Sequence, residues 1–155
     1  MTSHDTAMLA ELIAQKRDCL AQMRDLGLRQ LELINGGEIA KLIKVLSGKT
    51  HLIGVLQKIE DDLKPFHEQD PAERTWRLPE DRARCADDVT ACQELLSEIV
   101  KQEKQSESRL IERRDKVGVQ LHDAHAAGQA RGAYFAQSGP KTGMLDLTSN
   151  LGGTE

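Results

Sequence analysis

The sequence predicts an all-α fold: an elongated antiparallel three-helix bundle or coiled coil with a glycine-rich C-terminal tail. Three observations carry this. Leucine is the main apolar residue, with 20 copies in 155 residues, while only Phe66, Trp76, Tyr134 and Phe135 are aromatic. Leucine is a strong helix former, whereas aromatic residues favour strands. Apolar residues recur every three or four positions along three long stretches, the period of an amphipathic helix. The breaks between those stretches consist of glycine or proline, the residues that end helices.

The first helix is expected from about residue 4 to 34. Steps of three and four from Leu9 reach Leu12, Lys16, Cys19, Met23, Leu26, Gln30 and Leu33, so six of eight positions are apolar. Ile13, Leu20, Leu31 and Ile34 widen this stripe to bundle width. Asn35-Gly36-Gly37 then supplies a stop. The second helix is expected over 38–64, on the frame Ile39, Leu42, Leu46, Lys49, Ile53, Leu56, Glu60 and Leu63. Pro65 should end it, because a residue before proline is pushed out of the helical region. Two helices of similar length joined by a short turn imply an antiparallel hairpin.

Residues 65–79 contain three prolines and form a connector, with one short turn near Pro71 and with Phe66 and Trp76 pinned to the bundle. Pro79, Glu80 and Asp81 open a third helix expected over 79–131, since proline suits the first turn and acids suit the positive end of the helix dipole. Its seam is read as Cys85, Val89, Cys92, Leu96 and Ile99. Residues 101–109 are nearly all polar, and a thinner apolar series follows at Leu110, Val117, Leu121, Ala124 and Ala127. The domain reading is a helical bundle over 1–131 and a flexible tail over 132–155. Leu12, Met23, Leu42, Leu46, Leu56, Val89, Leu96 and Ile99 are expected in the core.

Charge excludes several functions. Twenty-one Lys and Arg face 25 Asp and Glu, for a net charge of −4, so no large basic field invites nucleic acid. No apolar run is long enough to span a membrane. The N-terminus lacks a basic stretch followed by an apolar one, so it does not read as a secretory signal. Three cysteines do not make a disulfide framework. The default location is cytoplasmic.

Nothing points to catalysis, a cofactor or a metal. Ser47-Gly48-Lys49-Thr50 matches the end of a phosphate-binding loop, but Ile43 stands where the loop needs its first glycine and no strand precedes it. His122 and His125 share a helix face, yet no third or fourth ligand is evident. Cys19, Cys85 and Cys92 fall on helix seams and read as packing residues. No carboxylate pair is placed for acid–base work, so an enzyme is not expected.

The stretch Gly37-Glu38-Ile39-Ala40-Lys41-Leu42 through Lys49, Leu52 to Glu60, and Leu63-Lys64-Pro65-Phe66 resembles the middle of FlgN-type flagellar export chaperones. The long polar helix leading into Ala133-Tyr134, and the apolar–acidic close Met144-Leu145-Asp146-Leu147, are similar to that family's C-terminal part. The connector with Trp76 departs from the family pattern. The resemblance implies an all-helical, non-enzymatic, cytoplasmic chaperone of type III flagellar export. Its partners would be hook–filament junction proteins, held by their helical C-terminal segments, together with the flagellar export apparatus. Neither nucleic acid nor membrane is an expected partner. The under-packed series Leu110, Val117 and Leu121 is the expected client-binding surface, and Tyr134 joins it as the tail residue that matches the family's pattern. The alternative is a structural coiled-coil or bundle protein that forms a homo-oligomer through the same seams.

Overall fold

A computed structural model describes the backbone of residues 2–136 and the side chains of residues 2–133. The protein is an all-α bundle of three helices, α1 (Ser3–Gly36), α2 (Ile39–His67) and α3 (Pro79–Ala136), with a 3₁₀ turn at Pro71–Glu73. Among the described residues there is no strand. By packing, the described residues divide into two units, one ending at Arg109 and the other beginning at Leu110.

The first unit is built around α1. Thr2 caps it: the Thr2 hydroxyl accepts from the Asp5 N–H at 3.3 Å, and the Thr2 N–H donates to Asp5 Oδ2 at 2.9 Å. This reciprocal pair satisfies two donors that a bare helix end leaves unmet. The hydrogen bonds from Thr2 hold the Asp5 carboxyl below its usual range. At the other end Gly37 takes φ 70°, the left-handed region that glycine enters without a Cβ clash. Its N–H bonds Ile34 O and the Glu38 N–H bonds Leu33 O, closing the orphan carbonyls of the last turn. The next helix begins two residues later.

Cross-helix pairs give the directions. Gln30 meets Lys49, Cys19 meets Leu52 and Lys16 meets Glu60, so partner numbers run in opposite senses and α2 is antiparallel to α1. Arg17 meets Asp88 and Arg24 meets Gln102, so α3 runs parallel to α1. The Gln102 side-chain amide lies against Gly27, in the space a Cβ there would take. The main core joins Leu9, Leu20 and Met23 of α1, Leu52, Ile59 and Leu63 of α2, and Cys92, Leu95 and Ile99 of α3. A second cluster of Leu33, Ile34 and Leu42 sits beside the turn.

The seams of α2 and α3 correct the sequence reading. On α2 the inward frame is Leu42, Val45, Lys49, Leu52, Leu56, Ile59, Leu63 and Phe66. Seven of its eight positions are apolar, one more than in the frame read from the sequence. Leu46 and Ile53 are therefore exposed. On α3 the inward residues are Cys85, Asp88, Cys92, Leu95 and Ile99, so Val89 and Leu96 face out. Asp88 is accepted inside because Arg17 Nη1 donates to it at 2.5 Å. Of the eight expected core residues, Met23, Leu42 and Ile99 are buried, Leu12 and Leu56 are half-buried, and Leu46, Val89 and Leu96 are exposed.

Two boundaries also shift. Pro65 lies inside α2, which continues to His67. The final turn holds because Phe66 is buried in the core and its carbonyl accepts from Arg74 Nη2 at 2.9 Å. Packing there outweighs the one backbone bond that proline removes. α3 continues past Arg131 to Ala136, through Gly128 and Gly132. Each glycine costs about 1 kcal/mol relative to alanine, and the neighbouring alanines at 126, 127, 130 and 133 offset it. The rest of the expected tail lies outside the described residues.

Candidate client-binding surface

In the second unit, the described part is helical from Leu110 to Ala136. Leu110, Val117 and Leu121 are 41%, 51% and 51% exposed. At about 100° per residue the three fall within one narrow stripe of the helix surface. Ile111 and Val119 are exposed on other faces. The structure thus brings Leu110, Val117 and Leu121 together as an apolar stripe. The Tyr134 side chain lies outside the described residues.

The remaining candidates take structural places. Lys49, in the Ser47–Thr50 motif, is buried within α2; its Nζ donates to Gln30 Oε1 at 2.8 Å and pairs with Glu103. Burial pulls its ammonium below the ordinary lysine value. A lysine committed this way cannot reach a phosphate. Cys19, Cys85 and Cys92 are free and buried, and burial pushes each thiol up from its ordinary value. They stay protonated at neutral pH and are poor nucleophiles. Among the described residues no cluster of three His, Cys, Asp or Glu is placed to hold a metal ion. Trp76 is half-buried against the main core and lines an open depression of about 440 Å³ with Thr6, Ala10, Cys85 and Asp88. The Thr6 hydroxyl donates to Thr75 O at 2.7 Å, tying the connector to α1.

Sequence reasoning missed a second exposed apolar surface, in the first unit. Ile39, Ile43, Leu46 and Ile53 on α2, and Val89, Leu96 and Val100 on α3, are 38–59% exposed. Five of the seven fall on the seams expected from the sequence. The signal that separates the two frames of α2 is the apolar count, which is higher in the observed frame. Among the described residues no helix is long and apolar enough to cross a membrane. Compared with family models, curated proteins and solved structures, the chain matches none.

Proposed function

We propose that the protein is a holding chaperone for helical client segments, acting in the cytoplasm in the manner of the FlgN-type flagellar export chaperones that its sequence resembles. The carrying observation is the stripe Leu110, Val117 and Leu121, apolar, at helical spacing and exposed. A client helix laid along it would bury its own apolar face in the helix-in-groove mode. Hook–filament junction proteins are the proposed clients, and the export apparatus the proposed destination. The first unit supplies a closed core that does not need the stripe for its own packing.

The test uses isothermal titration calorimetry with the purified C-terminal segments of the hook–filament junction proteins encoded in the same genome. Each apolar side chain buried by the client contributes on the order of 2 kcal/mol. Val117→Asp combined with Leu121→Asp should therefore weaken binding at least a hundredfold while leaving the melting temperature in place. Leu12→Ala, in the half-buried layer of α1, should lower the melting temperature and spare binding. Failure of the native chain to bind any of these segments overturns the proposal.

A further inference from the structure

Resting on that reading, and deepening it, we infer that the occupant of the stripe is an amphipathic helix with acidic residues beside its apolar seam. On a wheel of about 100° per residue, Leu110, Val117, Leu121 and Gly128 fall within about 40° of one another. Arg114 and His125 stand on one side of this stripe, within about 60° of its centre, and Arg113 and Arg131 stand as close on the other. The acids between 110 and 133 are Glu112, Asp115 and Asp123. All three lie about 140° or more from the centre of the stripe, on the far side of the helix. Lys116 and His122 fall between. The second unit thus segregates its charges, with a basic rim along the apolar stripe and its acids behind. Arg114 reaches Asp115 at 3.5 Å, but both side chains are largely exposed, and such a pair contributes little. The acids Glu103 and Glu107 belong to the first unit, Glu103 paired there with Lys49, and they bound the rim upstream.

The rim selects the occupant. A stripe this narrow has the width of a coiled-coil seam, which one helix covers, whereas a helix lying on a broad apolar surface presents a face of about 100° or more. The positions beside such a seam hold the charges that set partner choice. Cations on both flanks call for carboxylates on the partner. They also turn away a second copy of this chain, since a two-fold contact would set arginine against arginine. Gly128 and Gly132 continue the stripe beyond Leu121, with Ala124 at its edge. A Cβ at either glycine would meet no described atom within 4 Å, so the described packing of the chain on itself does not call for them. Bare backbone at these two positions lets an incoming helix approach closely.

Two fluorescent probes test this on the intact chain by anisotropy: a three-heptad peptide with leucine at a and d and glutamate at e and g, and its twin with lysine at e and g. The glutamate peptide should bind about tenfold more tightly than its twin at low salt, and the gap should close at about 0.5 M salt. Arg114→Glu combined with Arg131→Glu should reverse the preference with helical circular dichroism unchanged. If that variant loses helix, the salt dependence of the native chain carries the test. Equal binding of the two probes overturns the inference and leaves the helical-client reading standing, whereas binding of neither overturns both. Glutamate-peptide binding that survives Val117→Asp with Leu121→Asp places the contact elsewhere and overturns the inference too. So does binding to phosphatidylserine–phosphatidylcholine vesicles that rivals the glutamate peptide, since the rim would then serve a lipid surface.

Discussion

At the scale of single residues, the polar layer around Lys49 is the least expected feature of the core. A buried ammonium is costly unless its hydrogen bonds are met. Here Gln30 Oε1 accepts at 2.8 Å and Glu103 supplies the counter-charge. All three helices meet in this layer, so it marks one register among the several that leucine-rich seams would allow. Lys49→Ala should cost about 2–3 kcal/mol by urea unfolding, because it strands the Gln30 amide in the interior. Lys49→Met with Gln30→Leu should recover most of that loss. If the single change costs nothing, the layer is not structural. The same residue sets a pH dependence. Its folded pKa lies below the ordinary 10.5. Between the two values the unfolded chain binds more protons, so this group's contribution to stability rises with pH. The difference between native and Lys49→Met stability should show that rise, and taking the difference cancels the buried thiols.

At the scale of elements, α3 changes character along its length. From Cys85 to Ser106 it alternates inward and outward residues, and the inward ones meet α1 and α2. From Leu110 to Ala133 almost every side chain is exposed. Helices without tertiary packing are marginal in water, since propensity alone barely offsets the cost of nucleation. Amide hydrogen exchange should therefore show at least a hundredfold lower protection over 113–133 than over 88–103. Equal protection would mean that the distal part is held by contacts the first unit does not explain. An element of this kind suits a client site, because its apolar stripe is not already spent on the core.

At the scale of the whole molecule, helix number, turn and connector were readable because they depend on local signals. Gly37 needs no partner to mark a turn, and Pro71 and Pro79 need none to mark a break. The α1 stripe was readable because both members of its adjacent apolar pairs Cys19–Leu20 and Leu33–Ile34 are buried, so no choice between neighbouring frames was needed. The α2 and α3 seams were not. Val45 and Leu46, Leu52 and Ile53, and Leu95 and Leu96 are adjacent apolar pairs, and periodicity along one chain does not say which member turns inward. The opposing helices decide. Asp88 obscured the α3 frame further, since its place inside depends on Arg17, 71 residues away. The exposure of Leu110, Val117 and Leu121 was legible in the polar run 101–109 that precedes them. The exposed apolar residues of α2 and α3 were not legible, because most of them also fit a helical frame that reads as core.

The Gly37 turn also orders events in time. It places Gln30 beside Lys49, 19 residues away, while α3 must bring Asp88 to Arg17 across 71. Closing the longer loop costs about 1 kcal/mol more in chain entropy. The α1–α2 hairpin can also form while α3 is still being synthesised. The hairpin is therefore the expected folding nucleus, with α3 docking afterwards. In stopped-flow measurements Leu42→Ala, beside the turn, should chiefly slow refolding, and Ile99→Ala, on α3, should chiefly speed unfolding. The reverse pattern would place the nucleus across α1 and α3. A chain that folds in this order presents a bare hairpin first, with the inner face that α3 later covers briefly open to other helices.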